Sequence, residues 1–335
     1  MNILVIKQTS LGDVLHSTGH IRAIRRQFPE AHITLLTADT SADIYRFNPH
    51  VDRIIEFERY RIKDDWLRHP IWVINHFRKT FSKVAERQYD LALDLQGRWK
   101  SVLFLYAAKA RRKLVKGRWP FLDGFRQREL HALAEMDGVL EKAGINTMDT
   151  SMEMVVSEEA QHLARNALTE RGWLGGDIAV LSLFTRWPSK NWSLQCYAEL
   201  IEELSGRFQI VLSGDPKDRN QVEAFMQRLG QHDVINLSGV LDLQGFAALT
   251  QLARVVVSGD SFAMHLAVAC RTPVVALFGP TDETRVGPSG SNHEILRGKP
   301  DCTRCYDRNC ERRCIDGITA SQVSKAIQRL CPEPE

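Results

Sequence analysis

Apolar residues in this chain fall into short β-branched runs separated by stretches of helical spacing, and the alternation continues from one end to the other. The first run, residues 2–7, predicts a strand. A Gln-Thr-Ser-Leu-Gly loop leads from it to Asp13. Val14, Leu15, Ile21 and Ile24 then keep a helical spacing to about Phe28, where Pro29 stops the helix. Residues 32–37 form the next strand, which completes a βαβ unit with parallel strands and a crossover helix. Further strands are predicted over 53–57, 89–95 and 113–115. In the second half they fall at 178–183, 208–213, 233–237, 255–258 and 273–278, with a helix over about 193–205.

Two α/β blocks in series predict two doubly wound domains, 1–157 and 158–335, with the boundary near Ser157. Facing each other across a cleft, such domains place ligands at the carboxyl ends of their strands, so informative residues belong in the loops that follow strands.

Composition supports this picture. A chain of 335 residues with 44% hydrophobic and 25% charged residues is long enough for two globular cores. No apolar run reaches the roughly 18–20 residues of a membrane span, and MNILVIK is too short for a signal peptide, so a cytoplasmic location is expected. Net charge is only +3, but residues 98–128 hold ten Lys or Arg and a single acid, Asp123. That block reads either as a solvated basic helix face or as a surface for phosphorylated sugars, anionic lipid headgroups or nucleic acid.

Three loops combine chemistry-bearing residues. In Lys7-Gln-Thr-Ser-Leu-Gly-Asp13, a strand meets a helix start, which favours an anion nearby, and Gly12 permits a tight turn or close ligand approach. Asp13 is either an N-cap or a carboxylate that accepts a proton from an attacking hydroxyl. In Thr185-Arg-Trp-Pro-Ser-Lys-Asn-Trp192, Thr185 and Ser189 offer hydroxyls to phosphate oxygens and Lys190 a charge for a departing nucleotide. The alternative there is a core Trp192 beside a solvated Lys190. Ser258-Gly-Asp-Ser-Phe-Ala-Met-His265 offers Asp260, Ser261 and His265, or else a cap at Asp260 with a buried histidine. Phe278-Gly-Pro-Thr281 marks a sharp turn where Thr281 faces a ligand. No G-x-G-x-x-G follows the first strand, which argues against a dehydrogenase.

Four of seven cysteines, Cys302, Cys305, Cys310 and Cys314, have C-x2-C-x4-C-x3-C spacing. They read as a structural Zn or Fe site, as reduced thiols, or as disulfides.

MNILVIKQTSLGDVLHS, DLQGRWKS, TRWPSKNW and SGDSFAMHLAVACRTPVVALFGPT, taken in this order, closely resemble the bacterial ADP-heptose:lipopolysaccharide heptosyltransferase family, glycosyltransferase family 9, over most of the chain. The resemblance implies a GT-B fold, two Rossmann-like domains with the sugar nucleotide held mainly by the second. It also implies inverting heptose transfer from ADP-heptose to the lipopolysaccharide inner core without a catalytic cofactor. By motif, Asp13 matches the general base and Lys190 the diphosphate-binding lysine. Asp218 matches a ribose-contacting acid, and Asp260, Ser261 and His265 the donor segment. Ser10, Gly12, Gln96 and Lys100 match the acceptor side. Similar cysteine-rich tails occur in some members. Many members carry Gly where this chain has Phe262, which shifts the phosphate contact to Ser261 or Ala263 or changes donor selectivity. The implied partners are a nucleotide sugar and an anionic glycolipid met by residues 98–128 with Arg59, Arg61 and Lys63. Peripheral contact with the inner membrane is an option, and nucleic acid is not expected. Alternatives are another nucleotide sugar or acceptor, or a nucleotide-sugar-binding module without turnover.

Overall fold

The computed structural model describes residues 1–127, 131–230, 233–299, 302 and 304–332, with Lys63 as backbone only. Arg128 and the Lys63 side chain, both assigned above to the basic surface, lie outside the described residues. The chain divides into two compact units, Met1–Val155 and Val156–Glu335.

In the first unit, β1 (Asn2–Ile6), β2 (His32–Ala38), β3 (Arg53–Phe57), β4 (Gln88–Asp94), β5 (Lys109–Lys116) and β6 (Asp123–Phe125) form one parallel sheet in the order β3-β2-β1-β4-β5-β6. Ile3, Leu4, Val5 and Ile6 are all buried, as a parallel strand covered on both faces requires. The chain builds outward from β1 to β3 and then restarts at β4 on the other side of β1. That reversal is the topological switch point, where open α/β sheets leave a crevice for ligands.

The helix expected from Asp13 to Phe28 is two helices, α1 (Leu11–Leu15) and α2 (Thr18–Gln27). At the break the Ser17 hydroxyl donates to the Val14 carbonyl at 2.6 Å, competing with the helical ladder. Next come α3 (Arg59–Asp65), α4 (Pro70–Ala85), α5 (Trp99–Ala107) and α6 (Ala132–Lys142). The basic block does not form a helix face. Most of it lies on β5 and the loop after it, where Lys109, Arg111, Arg112 and Arg118 are exposed.

The second unit follows the same plan. Helix α7 (Glu158–Thr169) precedes β7 (Ile178–Ser182), α8 (Leu194–Leu204), β8 (Gln209–Ser213), α9 (Arg219–Leu229), β9 (Val234–Asn236) and α10 (Leu243–Leu252). Then come β10 (Val255–Gly259), α11 (Phe262–Ala269), β11 (Val274–Phe278), α12 (Glu283–Val286), β12 (His293–Arg297) and α13 (Ala320–Leu330). Its strands are parallel in the order β12-β11-β10-β7-β8-β9, which puts the switch point between β7 and β10. Strands β6 and β12 were not evident in the sequence: one is three residues long, and the other, at a sheet edge, carries His, Glu and Arg.

Trp192 fixes the loop after β7 to this core. It is 2% exposed, its indole N–H donates to the Ile318 carbonyl at 2.9 Å, and it meets Tyr197 edge-on at 4.8 Å. Replacing it by Ala empties a large buried volume and orphans that carbonyl. We expect Trp192→Ala to lower unfolding stability by about 3–5 kcal/mol. Urea unfolding of the full chain measures it, and a loss below about 1 kcal/mol is incompatible with this packing.

Candidate active site

Both switch points carry the residues singled out from sequence. In the first unit the loop after β1 ends at Ser10 with Gly12 and Asp13 in the first turn of α1, and the loop after β4 holds Gln96. Asp13 is not the N-cap of α1. Ser10 occupies that position and Asp13 sits three residues on, where its Oδ2 accepts the Ser10 backbone N–H at 2.9 Å and the Ser10 hydroxyl at 3.1 Å. This is half of a capping box, and it orients the carboxylate. Gly12 lies inside the first turn of α1, so close approach is the role left to it, not a tight turn.

The two loops are tied together. The Gln96 side-chain carbonyl accepts the backbone N–H groups of Gln8 at 3.3 Å and Thr9 at 3.1 Å. Gln96 is therefore a strut of the loop that leads into Asp13. Asp94, fully buried at the end of β4, accepts from the backbones of Gln96 and Gly97 and from the Ser101 hydroxyl at 2.8–3.0 Å. Burial pushes its carboxyl up to about 6 against those hydrogen bonds. Gly97 has φ +64, and a Cβ there would lie 1.9 Å from the Lys116 carbonyl oxygen, so this motif position admits only glycine.

Lys7 was not assigned a role from sequence. It is 4% exposed and donates to the Leu95 carbonyl at 3.2 Å. Burial lowers its ammonium to about 8, while Asp13, Asp94 and Glu135 oppose that shift and Lys116 adds to it. A buried cation therefore sits within the field of the Asp13 carboxylate. Position alone hinted at Lys7, a charged residue directly after an apolar strand; Asp94 ends a strand that also carries Asp90, so nothing local set it apart. Lys100, in the first turn of α5, places its ammonium 5.3 Å from the Trp99 ring centre, and burial followed by the neighbouring Arg59 lowers its pKa.

In the second unit Lys190 and Asp260 form an ion pair at 2.6 Å, with side chains 13% and 8% exposed. The Lys190 ammonium also lies 4.2 Å from the Trp187 ring centre. The pair bridges the loops after β7 and β10, which flank the switch point. Each alternative holds only in part: Trp192 is in the core and His265 is buried, but Lys190 is not solvated, and α11 is capped by Ser261, whose hydroxyl oxygen accepts the Ala263 N–H at 3.2 Å. That bond occupies Ala263, leaving Ser261 as the polar side chain beside Phe262. The Ser261 hydroxyl also meets Ser258 at 2.9 Å. Gly259 lets the loops touch, since a Cβ there would stand 2.7 Å from the Lys190 carbonyl.

The hydroxyls of Thr185 and Ser189, offered above to phosphate oxygens, brace the loop here. Thr185 donates to the Trp187 carbonyl at 2.9 Å, and Ser189 donates to the Asp307 carbonyl at 2.8 Å. His265 is buried within α11. Thr281 is 2% exposed, and its hydroxyl has no partner among the described residues; the same holds for Ser213 and Ser238 near Asp218. Buried hydroxyls of this kind are usually satisfied, so three at strand ends are suited to a polar ligand. Ser213 and Ser238 were missed in sequence, where a serine ending a strand looks like ordinary turn chemistry. Asp218 precedes α9 without a side-chain capping bond, and burial raises its carboxyl.

All seven cysteines are free thiols. Burial, with Cys302 next to it and Cys305 and Cys310 further off, raises the Cys314 thiol to about 11. Among the described residues no three His, Cys, Asp or Glu side chains converge as metal ligands, so the arrangement seen does not fit a tetrahedral site. The segment instead packs on the Lys190 loop: Arg308 lies 4.7 Å from the Trp187 ring centre, and Arg313 donates to the Asn191 carbonyl at 3.2 Å.

Comparison with known proteins agrees with this geometry. Residues 77–316 match the model of glycosyltransferase family 9 (heptosyltransferase). Lipopolysaccharide heptosyltransferase 1 of Escherichia coli K12 is 25% identical over 312 residues, covering 89% of this chain and 93% of that protein. Among solved structures, the glycosyl transferase family 9 protein from Veillonella parvula superposes with a TM-score of 0.88 at 20% identity, covering 99% of this chain and 98% of the other. E. coli heptosyltransferase WaaC with ADP gives 0.79 at 23% identity, covering 98% and 100%. With two parallel Rossmann-like sheets and a family match over most of its length, this chain is a glycosyltransferase of the GT-B fold and belongs to glycosyltransferase family 9, the heptosyltransferases.

Proposed function

We propose that this protein transfers a heptose from ADP-heptose to an inner-core hydroxyl of lipopolysaccharide, with inversion at the anomeric carbon. The observation that carries the reading is the Lys190–Asp260 pair at the second switch point, a held ammonium where a diphosphate would bind. Lipopolysaccharide heptosyltransferases among the relatives support the choice of sugar and acceptor.

Residues 1–157 serve the acceptor and residues 158–335 the sugar nucleotide. Asp13 accepts the proton of the acceptor hydroxyl as its oxygen bonds to the anomeric carbon and the bond to ADP breaks. Lys190 stabilises the charge that grows on the departing diphosphate. Asp260 holds the ammonium in place beforehand, and Ser261, Thr281 and His265 line the donor segment. Asp218, with Ser213 and Ser238 nearby, contacts the ribose hydroxyls. Gln96 and Lys100 stand on the acceptor side. Arg59, Arg61 and the basic residues of β5 and its following loop meet the anionic glycolipid. The enzyme acts in the cytoplasm. No helix among the described residues is long and apolar enough to cross a membrane.

Mass spectrometry of products from a panel of nucleotide sugars and truncated lipopolysaccharide acceptors tests this reading. A heptose-sized mass increment with ADP-heptose alone is expected, and transfer of a different sugar overturns the donor assignment. Reversing Arg59, Arg111 and Arg118 to Glu is expected to raise the acceptor KM about tenfold or more and leave the donor KM unchanged. An unchanged acceptor KM removes the basic surface from the mechanism. A structural Zn or Fe on the four cysteines would need them to draw together. Elemental analysis of untagged protein with near-stoichiometric metal would establish it.

A further inference from the structure

Ten of the sixteen large apolar side chains left exposed among the described residues lie between positions 47 and 121, so the first unit has an apolar surface that its own core does not use. Two parts of it are organised. Helix α5 buries Val102, Phe104 and Leu105 but exposes Trp99, Leu103 and Tyr106, an i, i+4, i+7 stripe on the opposite side. The corner between α3 and α4 exposes Trp66 at 59% and Leu67 at 89%, and Ile71 follows at 75%. One open cavity of about 780 Å3 joins them, with Trp66, Leu67 and Arg68 from the corner and Lys100 from α5 in its wall. At the other end of the stripe, Tyr106 donates to the Pro120 carbonyl, next to a fully exposed Phe121 held at φ +56.

Basic groups are interspersed along this apolar line. Arg68 and Lys100 flank the cavity, Lys113 donates to the Tyr106 carbonyl at 2.9 Å, and Arg118 stands near Phe121 in sequence. Asp64 is the acid in the cavity wall, and Asp65 is paired with Arg61 at 3.4 Å. Contiguous exposed apolar surface rimmed by polar groups marks an interaction site. Tryptophan, tyrosine and leucine mixed with Lys and Arg suit the headgroup level of an anionic bilayer, where rings enter the acyl boundary and cations meet phosphate.

We propose that the α3–α4 corner and the exposed stripe of α5 dock the first unit on an anionic lipid bilayer, with Trp66, Leu67, Leu103 and Phe121 entering its interface. The proposal rests on the glycolipid-acceptor reading above and deepens it. Lys100, on the same helix as the stripe, then stands at headgroup level, where a membrane-anchored acceptor presents its sugar.

Co-sedimentation of the full chain with vesicles tests the docking. Wild type is expected to pellet with phosphatidylcholine vesicles containing phosphatidylglycerol and to remain in solution with phosphatidylcholine alone. The pairs Trp66→Ser/Leu67→Gln and Leu103→Gln/Phe121→Ser are each expected to weaken partitioning by about tenfold or more. Turnover of ADP-heptose with a water-soluble, lipid-free acceptor should stay within about twofold of wild type. That assay reads the transferase function without a membrane, so its failure in wild type overturns the function and not the docking. Wild type that ignores anionic vesicles, or variants that partition like wild type, overturns the docking. Equal loss of turnover on the soluble acceptor assigns these side chains to the acceptor site instead. A wild-type dimer abolished by the same substitutions, without vesicle binding, assigns the surface to a second copy of the chain.

Discussion

Asp13→Ala is expected to lower turnover by about three orders of magnitude, within the range that general-base catalysis contributes, while ADP affinity stays within about twofold. The separation follows from placement. Asp13 lies in the first turn of α1 just after β1, whereas Lys190 and Asp260 belong to the other unit. The Ala variant also removes the acceptor for the Ser10 N–H and hydroxyl, which costs about 1 kcal/mol of local stability. Asp13→Asn separates the two roles, because an amide oxygen still accepts from Ser10 but takes no proton. If Asn restores turnover, Asp13 only orders its loop; if Asn is as inactive as Ala, the carboxylate is the base. Steady-state rates and ADP titration of the two variants measure this.

The second large effect belongs to Lys190→Met. Its immediate consequence is structural, since Asp260, 8% exposed, loses the ammonium 2.6 Å away. An unpaired carboxylate this deep destabilises the fold by about 3–5 kcal/mol. The functional consequence is weaker ADP binding and a fall in turnover of about two to three orders of magnitude, as the leaving diphosphate loses its positive partner. A second substitution separates them. Lys190→Met with Asp260→Asn removes the stranded charge, so urea unfolding should return most of the lost stability, while ADP affinity and turnover remain low. Recovery of turnover in the double variant would show that Lys190 serves only to neutralise Asp260.

The two candidate centres were legible to different degrees. Each lies in a loop after a strand, and the βα periodicity locates such loops without a structure. The strand order was not available from periodicity, because parallel neighbours need not be neighbours in sequence. Only the order β3-β2-β1-β4-β5-β6 shows that the Asp13 and Gln96 loops flank one switch point, and the same holds for Lys190 and Asp260 between β7 and β10. Where a side chain had two roles open to it, local sequence did not choose between them. Asp13 and Asp260 could each have capped a helix, yet Ser10 and Ser261 hold those positions. Ser189 was offered to a phosphate oxygen, and its hydroxyl donates to Asp307, more than a hundred residues away.

The sequence alone determined that the chain is two α/β blocks, and it singled out Asp13 and Lys190 as candidates just after strands. These follow from local periodicity and motif. The tertiary structure alone decided which charges are paired, which hydroxyls are occupied, and which apolar side chains the core leaves outside. Trp192 and Trp99 show why: each lies within two residues of a lysine in a loop or turn after a strand, yet one is 2% exposed and the other 58%. Burial depends on what the rest of the chain packs against a residue, and no local pattern carries that information.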